Sequence, residues 1–444
     1  MNTSRWSLAK KLITVIANAR LERNTGARFE ILAQNLAVKT QPIGFMLKHM
    51  TKDVPQTIAA RAGLELNPGA GRPIQPAIHQ STVYTYPSLE ALELAMTGEQ
   101  PGFVYYRNGH PNAAVLEETL ALLEYAQGCV VAASGMAAIS SVFLALLGAG
   151  DHLVADQNVY GGTFALLHSD LPQMGIEVSL VDAQDHAAVA AAFKPNTKLL
   201  HLESLSNPTL RVADLPALIA LGQAKGVRVS VDNTFASPVL MNPLKHGADV
   251  VVHSLAKYIG GHGAVMGGAV VGHSDLVELA RGKLLRLGGT MAAFDAWLAL
   301  MGLKTLPLRM RAHSSNAFKV ARFLEAHPKI ARVDYPGLPS HPQRDLAARL
   351  YPHGTGGMMA LELHGGYDAA SKFVKALAGK IPLAPSLADV SSTISYPART
   401  SHRALTPQAR ALIGVTDGLL RLSVGIEDAD DLERDLATAL SEVG

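Results

Sequence analysis

The sequence predicts an α/β protein: a mostly parallel central sheet with helices on both faces, preceded by an arm and followed by a smaller α/β domain. Three observations predict it. From Asn112 onward, apolar runs of strand length alternate with runs of helical periodicity. Several strand-type runs, 128–133 and 250–253 among them, are apolar without alternation, which suits strands covered on both faces. Residues of distinctive chemistry follow these runs directly, and ligands gather at the carboxyl ends of strands in such sheets.

Taken in order, residues 1–50 hold eight Lys or Arg against two acids, Glu22 and Glu30. They read as a basic extension, disordered or the product of a start annotated upstream of Met46 or Met50. A transit segment is the minor reading, because the apolar run 12–19 is short for a secretory signal. Residues 51–111 read as an arm: Pro68, Pro73, Pro76 and Pro87 interrupt it, and only 88–96 has a helical pattern. Residues 112–305 form the expected cofactor-binding domain. Its helices fall at 113–125 and 136–147, and its strands at 128–133, 152–155, 197–202, 227–231, 250–253 and 267–271. Residues 306–444 form the expected C-terminal domain, entered by an amphipathic stretch at 312–327. Strands follow at 357–363 and 419–424, and a helix at 428–443 opens on acidic residues that complement its dipole.

Composition narrows the function. The chain has 444 residues, 48% hydrophobic and 17% charged, as a globular protein with a large core does. A net charge of +2 points to no nucleic acid. The single cysteine, Cys129, excludes an internal disulfide framework and reads as a small core residue. No apolar stretch is long enough for a bilayer. The histidines, including His253 and His262, have no metal-site spacing, so no metal is expected.

The chemistry concentrates around Lys257. It lies in Ser254-Leu255-Ala256-Lys257 after one apolar run, and Asp232 ends the apolar run before that. A lysine amine can form a Schiff base with the aldehyde of pyridoxal phosphate (PLP). A carboxylate can keep the cofactor's pyridine nitrogen protonated, so that the ring accepts electrons from a substrate carbanion. Either residue alone says little, since most lysines are solvated and most strand-end aspartates form turns. Ser134-Gly135-Met136 joins a strand to a helix, where free N–H groups bind phosphate, although Ser134 is also an ordinary N-cap type. Ser254 can add a hydroxyl to the same phosphate. Tyr160, before two glycines, can stack on the pyridine and supply a proton to a leaving group, with core packing as the alternative. Arg107 lies in a loop bounded by Gly109 and Pro111 and is either solvated or a phosphate clamp. Arg421, a charge within an apolar strand, faces outward or meets a buried carboxylate, which an amino-acid substrate would supply.

These motifs, in this order, resemble the Cys/Met-metabolism (trans-sulfuration) family of PLP enzymes. The resemblance rests on Tyr105-x-Arg107, Ser134-Gly135-Met136, Tyr160-Gly161-Gly162-Thr163, Glu203-Ser204-Leu205-Ser206-Asn207-Pro208, Asp232-Asn233-Thr234, the Lys257 run, Ser386-Leu387 and Arg421-Leu422-Ser423-Val424-Gly425. It runs from about Thr57 to the C-terminus and leaves residues 1–50 uncovered. It implies the fold-type I, aminotransferase-like architecture and a cytoplasmic homotetramer, a dimer of dimers with shared active sites. Tyr105 and Arg107 would reach the PLP phosphate of a neighbouring subunit. Asn207 would bond the cofactor's phenolic oxygen, and Ser386 and Arg421 would hold the substrate carboxylate.

Departures from the family pattern bear on the substrate. Ala256 stands where the family commonly has Thr, Pro385 where cystathionine-handling members often carry Glu, and Gly162 where methionine lyases have Cys. The expected activity is a carbon–sulfur lyase acting on sulfur amino acids by γ-elimination. Lys257 would serve as Schiff-base lysine and α-proton acceptor, Asp232 as the ring's counter-charge and Tyr160 as proton donor. The alternative is a γ-replacement transferase, an O-acylhomoserine sulfhydrylase or cystathionine γ-synthase; the remote one is a non-catalytic PLP-binding protein.

Overall fold

The structure is a computed structural model that describes residues 54–63, 74–403 and 406–443. The basic extension expected over 1–50 lies outside the described residues. Among the described residues, Tyr86–Gly102 is one compact unit and the remainder another. The first is built on the helix Leu89–Thr97, whose N-cap Ser88 accepts the Ala91 N–H and whose C-cap, Gly98, is left-handed. The arm also contains a helix that sequence reading missed, Pro55–Arg61, started by a proline whose missing N–H costs nothing in a first turn.

In the larger unit seven strands form one sheet: β1 (Gly128–Ala132), β2 (His152–Asp156), β3 (Glu177–Val181), β4 (Thr197–Glu203), β5 (Arg228–Asp232), β6 (Val250–Ser254) and β7 (Gly268–Gly272), in the order β1-β7-β6-β5-β4-β2-β3. Pairing is parallel except on the two sides of β7. That exception has a simple cause. Residues 255–267, which carry Lys257, return the chain to the sheet without a crossover helix, and a short return allows only antiparallel pairing. β1 is buried throughout, whereas β3, missed in the sequence, is half-exposed at the sheet edge. Cys129 is a free, buried thiol in β1, and burial raises its pKa.

A second, smaller sheet contains β8 (Ile330–Asp334), β9 (Met358–Leu363), β10 (Thr393–Ser395) and β11 (Leu419–Ser423), all antiparallel in the order β10-β11-β9-β8. The helices Gly366–Ala376 and Ala429–Ser441 close its core. The two sheets are bridged by one 33-residue helix, Ala293–Glu325. The expected boundary at 305/306 therefore falls inside a continuous helix. Gly302 and Pro307 imitate a break in the sequence, but Gly302 serves close packing: a Cβ there would lie 2.2 Å from the Gly260 carbonyl oxygen. No described helix is long and apolar enough to cross a membrane.

Candidate active site

β5 ends at Asp232, in register with Glu203 of β4 and Val252 of β6. Asp232 accepts the Thr234 N–H at 3.0 Å, and the Thr234 hydroxyl also bonds its carboxylate. That same hydroxyl oxygen accepts the Ser254 N–H at 2.8 Å, tying the ends of β5 and β6 together. Burial pushes the Asp232 carboxyl up, against the opposing pull of the Thr234 bonds. Behind this pair the buried Glu124 binds the His253 imidazole at 2.6 Å and the side-chain amides of Asn233 and Asn242, each at 3.2 Å. The ends of β5 and β6 therefore stand on a braced polar layer.

Ser134 is the N-cap of the helix Gly135–Leu146, accepting the Ala137 N–H at 3.0 Å. Its hydroxyl is thus engaged in capping, and the helix-start N–H groups of Gly135 and Met136 precede any intrahelical acceptor. A Cβ on Gly135 would lie 3.1 Å from the Ser254 Oγ, so the helix start and the end of β6 form one cradle. Gly268, first in β7, is equally constrained, since its Cβ would fall 2.2 Å from the Ser134 carbonyl oxygen.

Lys257 sits half-buried at the head of the 255–267 loop, its N–H donating to the Ser254 carbonyl at 3.3 Å. Burial lowers its pKa and the nearby Arg421 cation lowers it further, which favours a neutral amine. The loop is pinned by a residue the sequence reading did not single out. Arg309, buried in the long helix, donates to the carbonyls of Tyr258 at 2.6 Å, Ile259 at 3.2 Å and Gly302 at 2.6 Å.

Arg421, buried in β11, donates to Asn207 Oδ1 at 2.8 Å and to the Ser386 carbonyl at 3.3 Å. Burial pulls its pKa to about 10, partly countered by Tyr160 and Tyr258. Its burial rules out the outward-face alternative, and no carboxylate pairs with it among the described residues. Ser386 contributes its carbonyl, while its side chain and the adjacent Pro385 are exposed. This turn includes Ala388 at φ 65, held by a 2.7 Å bond from its N–H to the Ser423 hydroxyl. Ser423 was another unassigned residue of a motif noted in the sequence.

Tyr160 is exposed at the start of the turn after β2. Its N–H donates to Glu203 Oε1 at 2.6 Å, and burial together with Asp232 raises the Glu203 pKa well above the usual range. Glu203, missed as a site residue, had a readable signal: like Asp232 it is an acid ending an apolar strand. A Cβ at Gly162 would lie 2.6 Å from Tyr160 Cε1 and 3.0 Å from Met136 Sδ. Glycine there leaves room for the Tyr160 ring beside the phosphate-type helix start.

The structure therefore brings Ser134, Gly135, Met136, Tyr160, Asn207, Asp232, Ser254, Lys257, Ser386 and Arg421 to one end of the larger sheet and the facing edge of the smaller one. Tyr105 and Arg107 do not join them within the chain. They lie in the exposed turn at Tyr106–Asn108, where Arg107 donates to the Leu285 carbonyl at 2.6 Å and approaches the Tyr105 ring at 5.7 Å. No group of three or more metal-ligating side chains occurs among the described residues.

The profile of Cys/Met metabolism PLP-dependent enzymes matches residues 56–441. The chain belongs to that family. An O-succinylhomoserine sulfhydrylase of Pseudomonas aeruginosa is 42% identical over 385 residues, covering 87% of this chain and 94% of the relative. An L-methionine gamma-lyase of Porphyromonas gingivalis is 42% identical over 369 residues, 82% of this chain and 92% of the relative. The crystal structure of a cystathionine gamma synthase of Xanthomonas oryzae pv. oryzae in complex with cystathionine superimposes with a TM-score of 0.83 at 40% identity, covering 88% of this chain and 98% of that one. The architecture is fold-type I, the chain is an enzyme, and its cofactor is PLP. The donor set of this trans-sulfuration enzyme fits that cofactor: a glycine-lined helix start for the phosphate, a buried carboxylate for the ring nitrogen, and an amine of lowered pKa for the aldehyde.

Proposed function

We propose that the enzyme cleaves the bond between the γ carbon and sulfur of sulfur amino acids, releasing a thiol, ammonia and a 2-oxoacid. PLP supplies the electron sink that makes the substrate's α and β hydrogens acidic. The protein's own residues do the rest. Arg421 takes the substrate carboxylate, and Asn207, whose Oδ1 is occupied by Arg421, would use its amide N–H groups to donate to the cofactor's phenolic oxygen. Lys257 Nζ, its pKa lowered by burial and by Arg421, accepts the α proton. Asp232 holds the ring nitrogen's proton, and Tyr160 donates its phenolic proton to the departing sulfur. Ser134, Gly135, Met136 and Ser254 hold the phosphate. Tyr105 and Arg107 complete that grip from a neighbouring subunit in a cytoplasmic homotetramer with shared sites, a reading supported by their exposure.

The observation that carries this reading is the proximity of a lysine of lowered pKa to a buried arginine with no acidic partner. An amine base and a carboxylate receptor facing each other define a site for an amino acid. γ-Replacement on an O-acylhomoserine is the second reading, favoured by the similarity to a sulfhydrylase over 94% of that relative. The test is to supply methionine, cystathionine, O-acetylhomoserine and O-succinylhomoserine, each with and without an added thiol, and to identify the products. A 2-oxoacid and ammonia formed without added thiol support elimination. A thioether formed only with added thiol makes the enzyme a transferase, and absence of both products from every substrate refutes the reading. Pro385 offers no charge to a distal ammonium, so cystathionine is expected to show no advantage over methionine.

A further inference from the structure

Outside the constellation around Lys257, a cavity of about 670 Å³ lies beside β10 and β11. Tyr367, Tyr396, Arg399, Arg403, Arg410 and Asp417 line it, so three guanidinium groups face one carboxylate. Asp417 is already committed: Arg410 pairs with it at 3.2 Å, and its carbonyl accepts the Tyr396 hydroxyl at 2.9 Å. Arg399 stacks on the Tyr367 ring at 4.2 Å and donates to the Tyr367 hydroxyl, which fixes the plane of its fork. Arg403 is exposed, and its guanidinium bonds no described residue. With Asp417 offsetting Arg410, Arg399 and Arg403 remain as two cations at one cavity, and planar guanidinium forks match the oxygens of carboxylate and phosphate. The proposed reaction uses none of these residues.

The cavity also shares a wall with the reaction centre. Residues 397–403 carry Ala398, Arg399 and Arg403 to the cavity, while Pro397 and His402 of the same segment are buried. The Ser401 carbonyl oxygen lies 2.5 Å from where a Cβ on Gly161 would stand, so this main chain rests directly on the residue after Tyr160. His402 lies within the field of both Arg421 and Arg410.

We propose that this cavity binds a small polyvalent oxyanion, a dicarboxylate or a phosphate, as an effector whose occupancy is transmitted through residues 397–403 to the turn that holds Tyr160. The binding claim stands apart from which substrate the enzyme prefers. Its test is calorimetric titration of the PLP-loaded enzyme, in chloride buffer, with succinate and separately with inorganic phosphate. The same titrations are run on Arg399→Ala and Arg403→Ala, and turnover is measured with and without each anion. At least one anion should bind saturably, with affinity reduced about tenfold or more in either variant, the loss expected for one charge-assisted contact. Turnover without anion should match the wild type in both variants. The anion concentration that just saturates the wild type should change its kcat/KM and change that of Arg403→Ala far less, and the tighter of the two anions identifies the ligand's source. Absence of saturable binding, equal binding by the variants, or displacement of the anion by the amino-acid substrate overturns the site. Binding without any change in kcat/KM overturns the effector role.

Discussion

Burial pushes the Asp232 carboxyl up, and the two Thr234 bonds pull it back toward the ionised form. Opposite the cofactor's ring nitrogen, the protonated ring would supply the remaining compensation. Asp232→Asn preserves shape and can still accept the Thr234 N–H, yet removes the charge. A drop in kcat on the order of a hundredfold is expected, comparable to removing one preorganised electrostatic group. Near-normal turnover with PLP bound would show that Asp232 is a structural turn residue. Lys257, Asp232 and Arg421 were legible in the sequence because each interrupts or ends an apolar run with a charge that burial makes costly. Thr234 and Glu203 lay inside the quoted motifs without assigned roles. Their partners, the Ser254 N–H and the Tyr160 N–H, come from other strands and turns, a pairing that no local pattern reveals.

At the scale of elements, the long helix Ala293–Glu325 acts as the spine that positions the Lys257 loop. From it Arg309 donates to the buried Tyr258 and Ile259 carbonyls of that loop, so Arg309→Lys, which has fewer and differently placed donors, leaves at least one of them unpaired. A stability loss of about 1–3 kcal/mol and weaker PLP retention are expected. Unchanged denaturation and unchanged PLP dissociation would remove Arg309 from this role. Farther along the same helix, burial lowers the pKa of His313 to about 4, and its Nδ1 meets the Val424 carbonyl at 2.8 Å. Between pH 6.5 and 4 the unfolded chain binds a proton here that the native state refuses, so this group's contribution to stability is lost as pH falls below 6.5. Relative to His313→Gln, the wild type should lose about 2 kcal/mol of stability between pH 7.5 and pH 5. Denaturation midpoints of both proteins at the two pH values check this, and a difference independent of pH contradicts it. The spine itself was only half legible. Its apolar periodicity from 312 onward was clear, but Gly302 and Pro307 read as breakers, and the close approach of Gly260 that explains Gly302 exists only in three dimensions. β7 was located correctly, whereas its antiparallel direction followed from the short return of the Lys257 loop. β3, β8 and β10 escaped notice because they are edge or half-exposed strands with weak patterns, and β10 has only three residues.

For the whole molecule, the placement of Arg107 and Lys257 bears on assembly. Arg107 lies at the exposed turn and holds the Leu285 carbonyl, and the proposed role at the phosphate assigns it to a neighbouring copy. Mixing inactive Arg107→Ala and Lys257→Ala subunits should restore part of the activity, because one shared site in a mixed dimer is wild type at both positions. No recovery after demonstrated subunit exchange would place Arg107 outside the chemistry. The central claim is that this fold exists to hold PLP on Lys257, between the carboxylate of Asp232 and the glycine-lined helix start at Gly135. It is tested most directly by borohydride reduction of the native holoenzyme followed by peptide mapping. The account predicts a single pyridoxyl label on Lys257 and none in Lys257→Ala; a label on any other lysine would contradict it.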